Sequence, residues 1–145
     1  MNIDLNLIFE SIPEMLSGFG TTLYLLIISG FLGLLLAIVL LLMRISGKFY
    51  LDFPAQIYIY IFRGTPILVQ IFIIYYGLPQ FEYIQDSMFW IILREPTGCA
   101  ILALTLNTGA YVSEILRGGV LAVNRGLIEA GSALGMNARH RFIYI

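Results

Sequence analysis

The sequence predicts an all-helical integral membrane bundle, and three observations carry that prediction. The chain is 59% hydrophobic and only 12% charged, far more apolar than a soluble domain of its length. Residues 21–43 form an uncharged apolar run, and about 20 apolar residues in a helix suffice to cross about 30 Å of hydrocarbon. The basic residues are segregated, with Arg44 and Lys48 after the first apolar run and Arg117, Arg125, Arg139 and Arg141 after the last, the pattern that sets orientation in a bilayer. The same composition excludes other classes. A formal charge of −1 offers no basic field to nucleic acid, and one cysteine, Cys99, with one histidine, His140, falls short of a metal-ligand cluster. No nucleophile–base pair, carboxylate pair or metal-ligating motif stands in a context suited to catalysis, so no catalytic or metal-binding residue is expected.

Taken in order, residues 1–18 read as an extracytoplasmic amphipathic segment, with Ile8, Ile12, Met15 and Leu16 at helical spacing. Asp4, Glu10 and Glu14 precede the first span without any Lys or Arg, so that span is not a secretory signal and stays in the mature protein. A second apolar region, residues 53–78, is interrupted by Arg63-Gly64-Thr65-Pro66, which joins a charge, a flexible residue and a ring lacking an N–H. A break is expected near Arg63, with Thr65 as N-cap of a helix restarting at Pro66. The third span covers about residues 97–116. Three crossings with the amino terminus outside then place Arg44, Lys48 and the carboxyl-terminal arginines in the cytoplasm. Tyr75, Tyr76, Phe81, Tyr83, Phe89 and Trp90 cluster at the outer boundary, where amphipathic rings anchor in the headgroup region. Beyond span three, Leu127, Ala130, Leu134 and Ala138 recur at three or four residues, as in a cytoplasmic amphipathic helix, with a bend at Gly135 and Asn137.

Glu129-Ala130-Gly131, three residues, Gly135, nine residues and Ile145 match the spacing of the EAA signature, so the chain resembles the permease subunits of ABC importers. Gly131 departs from the second alanine of that signature, and its closing Leu-Pro does not follow because the sequence ends at Ile145. YIFRGTPILVQIFIIYYGLP from Tyr60 and LALTLNTGAYVSEILRGG from Leu102 are similar to the polar amino-acid subfamily, in particular to the M-type subunits of histidine, lysine-arginine-ornithine and opine importers. The resemblance covers residues from about Gly18 onward and identifies residues 19–145 as an incomplete type-1 permease domain whose family fold has five spans.

What the resemblance implies is a bacterial inner-membrane permease that translocates polar amino acids and pairs with a second permease subunit, identical or related. Its coupling helix, carrying Glu129, Ala130, Gly131, Gly135 and Ile145, sits in a groove of a separate ATP-binding cassette subunit, while a periplasmic binding protein delivers substrate. ATP belongs to that partner subunit, and the chain itself contains no G-x-x-x-x-G-K-[ST] loop. An alternative is a truncated membrane protein that recruits a soluble partner through its cytoplasmic helix and transports nothing.

The residues leave two further choices open. Arg63, Gly64, Thr65 and Pro66 form either a hinge lining a pathway or a helix end with a snorkelling arginine. Asn107, Tyr111 and Glu114 share one helical face, which either lines a path suited to cationic substrates or satisfies itself, with Glu114 pairing to Arg117 and the other two bonding between helices.

Overall fold

The computed structural model describes residues 5–144. The first helix, α1, runs from Leu5 to Ile45, with Pro13 inside it and Arg44 in its last turn. From Leu5 onward the amino-terminal segment is therefore continuous with the span rather than set apart from it; the side chains of Ile8 and Ile12 lie outside the described part. Lys48 starts the next element, α2, Phe49–Gly64. Next come α3, Ile67–Phe72, a π-helical turn Ile73–Gly77 and a 3₁₀ turn Leu78–Gln80. Two short helices, α4 (Glu82–Gln85) and α5 (Trp90–Leu93), lead to the long α6, Pro96–Ala122. The chain then forms α7, Arg125–Ala133, and α8, Ala138–Tyr144.

Residues 15–45 and α6 are each long and apolar enough to cross a membrane, and α2 with the helical run 67–80 makes a bent pair at 106° that passes the same test jointly. Packing says how these elements are related. An ideal Cβ on Gly33 would lie 2.7 Å from Thr108 Cβ, and one on Gly109 would lie 2.7 Å from a Leu36 methyl, so two backbones meet where only glycine leaves room. Ala37 and Ala110 are fully buried nearby. With Arg44 at the end of α1 reaching Glu114 at 3.5 Å, the contacts advance in the same direction along both helices. Helices α1 and α6 are thus parallel. A chain that leaves α1 at one end and enters α6 at the other has to return between them, and the broken pair supplies that return crossing.

Two small cores mark the ends of the return. Leu40, Ala55 and Ile59 pack α2 against α1 near the Arg44 end, whereas Ile74, Leu93, Cys99 and Ala103 pack the π turn and α5 against the start of α6, with Tyr75 and Trp90 against them. Phe81, Tyr83 and Phe89 remain exposed beside this second core. Cys99 is buried there, its thiol donating to the Leu93 carbonyl at 3.1 Å.

One local expectation is corrected. Thr65 does not cap the restarting helix; it closes the preceding one, its hydroxyl donating to the Ile61 carbonyl at 2.8 Å. Pro66 occupies the N-cap position instead, with ψ at 137°, and α3 begins at Ile67. The cause is steric: the residue before a proline is driven to extended backbone, and Thr65 has φ −115° and ψ 141°.

Candidate functional site

The break in the return crossing creates an accounting problem in a medium without water, because every carbonyl released from a helix needs another donor. Pro66 has no N–H to give to the carbonyl four residues back, that of Phe62. The Gln70 amide takes its place, its Nε2 donating to Phe62 O at 2.8 Å, to Thr65 O at 3.0 Å and to Thr65 Oγ1 at 2.7 Å. Asn107 on α6 adds a longer contact to Phe62 O at 3.4 Å and donates to Gln70 Oε1 at 3.2 Å. Tyr111 donates its hydroxyl to Arg63 O at 3.4 Å, and one turn before the break Tyr58 donates to Leu106 O at 2.7 Å. The carbonyl end of α2 is therefore stitched to one face of α6.

That face ends in charge. Glu114 receives Arg117 in two parallel contacts, Nε to Oε1 at 3.0 Å and Nη2 to Oε2 at 3.2 Å. Arg44 Nε lies 3.5 Å from the same carboxylate, and Arg63 Nη1 lies 4.0 Å from it. Arg44 also pairs with Asp52 at the start of α2, and Asp52 accepts from Gln56 at 2.6 Å. The guanidinium of Arg63 stands over the Tyr111 ring, 5.4 Å from its centroid. Beside these groups lies an open cavity of about 620 Å³, lined among others by Arg44, Gln56, Tyr60, Arg63, Tyr111 and Glu114.

Two sets of residues that the sequence offered separately thus meet. Arg63, Gly64 and Thr65 line the same cavity as Tyr111 and Glu114, with Pro66 making the break and Asn107 bonded into it. The self-satisfying alternative accounts for much of the arrangement: Glu114 does pair with Arg117, and Asn107 and Tyr111 do bond across helices. Glu114 already has three guanidinium groups around it, so a cationic substrate at that carboxylate has to displace or outcompete them. As participants in the site, Gln70, Arg44, Asp52, Gln56 and Tyr58 escaped the sequence reading. Gln70 could have been found, since it is a lone polar residue in the run ILVQIFII and a polar group at membrane depth needs a partner. Arg44 and Asp52 could not, because eight residues and a turn separate them and no spacing rule joins them.

The second predicted site forms a short, well-terminated helix. Asn124 caps α7, accepting from Gly126 N at 2.8 Å. At its other end Met136 N bonds to Gly131 O and Gly135 N to Ser132 O, both at 3.0 Å, with Gly135 at φ +74°. This is a Schellman closure, in which the left-handed residue is best a glycine. Asn137 then starts α8 by accepting from His140 N at 2.9 Å, and Arg141 donates to the Ser132 hydroxyl to tie α8 to α7. Glu129 and Ala130 are exposed and Gly131 is buried; Ile145 lies outside the described residues.

Residues 29–145 match the family model described as binding-protein-dependent transport system inner membrane component. The chain belongs to that family. It is 50% identical over 136 residues to an octopine transport system permease protein of Rhizobium meliloti, covering 94% of this chain and 56% of that one. It is 41% identical over 136 residues to an arginine transport system permease protein of Bacillus subtilis, covering 94% and 58%. A histidine/lysine/arginine/ornithine transport system permease protein of Escherichia coli K12 is 41% identical over 122 residues, covering 83% and 51%. The fold is similar to a crystal structure of an amino acid ABC transporter with histidines, with a TM-score of 0.81 and 33% identity over 99% of this chain and 63% of that one. The chain thus spans between half and three-fifths of the length of these curated relatives. They are transport components rather than enzymes, and the family is one of inner-membrane proteins.

Proposed function

We infer that this chain belongs to the permease subunit of an ATP-driven amino-acid importer, carrying polar and chiefly basic amino acids inward across the bacterial inner membrane with its amino terminus outside. The observation that supports it most is the placement of α7: a helix closed by Gly135 follows α6 at the Arg44–Glu114 end, in a chain of a transport family. On this reading α7 docks on a separate ATP-binding cassette subunit through Glu129, Ala130, Gly131 and Gly135, with Ile145 continuing the segment, and nucleotide is bound by that subunit. A second permease subunit completes the path, and a periplasmic binding protein brings the amino acid. Basic substrates are favoured by the names of the relatives, which include octopine, arginine and histidine/lysine/arginine/ornithine systems. A membrane protein that only recruits a partner is not favoured, because the relatives are named as permeases.

The test pairs two readouts in cells carrying the complete importer. Glu129→Ala and Gly135→Ala should leave membrane insertion unchanged while lowering both co-purification of the ATPase and uptake of labelled arginine by about tenfold, the scale of a hot spot in a small interface. Full ATPase recovery with full uptake in both variants would refute the docking role. Uptake of labelled glutamate or alanine at the rate of arginine would refute the basic preference.

A further inference from the structure

Around the cavity at the end of α1, α2 and α6, three guanidinium groups, Arg44, Arg63 and Arg117, face two carboxylates, Asp52 and Glu114. One positive charge is left over, and the geometry says which. Arg44 is taken by Asp52, and Arg117 holds Glu114 through two hydrogen bonds. Arg63 reaches Glu114 only at 4.0 Å and keeps 45% of its side chain exposed. Among the described residues its side chain makes no hydrogen bond that would use its remaining donors, and it is instead steadied over the Tyr111 ring at 5.4 Å, while the same tyrosine's hydroxyl holds its backbone carbonyl. A planar guanidinium held in place with free donors is matched to two oxygens of an anion. Arg44, by contrast, spends its Nε on Glu114 at 3.5 Å as well as pairing with Asp52, so the spare donors belong to Arg63.

We propose that Arg63 is the anchor of an oxyanion site in this cavity, taking the carboxylate of a small molecule or the phosphate of an anionic lipid headgroup. The cavity of about 620 Å³ admits either. Its lining suits a group with one charged end, because Arg63 and Tyr111 stand beside the apolar side chains of Ile59 and Ile61. Its position suits a headgroup, since Arg44 and Lys48 mark this as the interfacial end of the bundle and excess basic charge between helices there attracts anionic lipid. Glu114 narrows the choice of anion: with a carboxylate about one guanidinium away, a singly charged group is accommodated better than a multiply charged one. The inference concerns the chain's own charge balance and does not depend on which molecule the importer carries.

The experiment uses the purified full-length protein in nanodiscs of phosphatidylcholine, with thermal unfolding and native mass spectrometry as readouts. One arm adds phosphatidylglycerol to the discs, a second adds free arginine, and a third adds inorganic phosphate. Stabilisation and retained adducts with phosphatidylglycerol assign the headgroup; saturable stabilisation by arginine or phosphate in neutral discs assigns the soluble oxyanion. Arg63→Gln should weaken the responding arm by about tenfold, the scale of a lost charge-assisted hydrogen-bonded pair. Arg63→Lys, which restores the charge without the fork, should recover part of it and guards against simple misfolding. Arg94→Gln, an exposed cation at the opposite end of the bundle, should leave it unchanged. No response in any arm, or a response that Arg63→Gln leaves intact, overturns the proposal.

Discussion

The broken crossing and the carboxyl-terminal pair α7–α8 handle their side chains in opposite ways. At the break, polar groups are drawn inward and satisfied by the chain itself: Gln70 is buried, and its amide, with Asn107, Tyr111 and Thr65, replaces donors that the helix lost at Pro66. In α7–α8, backbone ends are equally well closed, but apolar side chains are left outside, with Leu134 82% and Phe142 83% exposed and Ile143 and Tyr144 close behind. In the first region the carbonyls at the break are satisfied within the chain, and altering the side chains that satisfy them costs stability. The second is folded locally yet unfinished as a surface, so changes there should register in binding before they register in stability.

The sharpest way to break this contrast is at Gln70. Gln70→Leu strands the Thr65 carbonyl and leaves Phe62 O with only the long Asn107 contact, so unfolding of the purified protein should ease by about 3 kcal/mol, the cost of buried polar groups left unpaired. An unchanged melting temperature would mean that water or lipid reaches the break. Next in size is the α1–α6 contact. Gly33→Ala places a methyl against Thr108 Cβ, 2.7 Å away, and should cost about 2 kcal/mol through overpacking; Thr108→Gly in the same protein should recover part of that loss, and failure to do so would move the strain elsewhere.

Smaller effects test the other region. Gly135→Ala forces a side chain to φ +74° and should cost about 1 kcal/mol, seen as faster amide exchange at residues 131–136 while α1 and α6 keep their protection. Equal loosening of α6 would show that α7 is not the independent unit described. Leu134→Ser should change the stability of the chain by no more than about 0.5 kcal/mol, as expected of an exposed position. A larger loss would show that Leu134 is covered within the chain rather than by a partner.

Legibility from sequence followed the range of the interactions. Span one, the break at Arg63–Pro66 and the bend at Gly135 and Asn137 were readable because each depends on local properties: length of an apolar run, a missing N–H, a left-handed backbone. The polar face of Asn107, Tyr111 and Glu114 was readable as a face, since helical period is local too, but its choice between a substrate path and mutual satisfaction was not. Thr65 was misassigned because both helix ends lie within two residues of it, and only the bend decides which end its hydroxyl serves.

By itself, then, the sequence determined a membrane-embedded helical chain, the side on which its basic residues gather, a broken second crossing and, after the third, a helical segment with a bend. It also carried the spacing by which the transport family is recognised. Only the tertiary structure decided that α1 and α6 pack directly against each other, that Gln70 closes the break, and that Arg44 and Arg63 converge on Glu114 from two other helices. The reason is physical: backbone hydrogen bonding and hydrophobic period act over one or two turns, whereas the pairing of charges depends on which helices lie side by side, and that was settled here by two glycines, Gly33 and Gly109, that let the backbones approach.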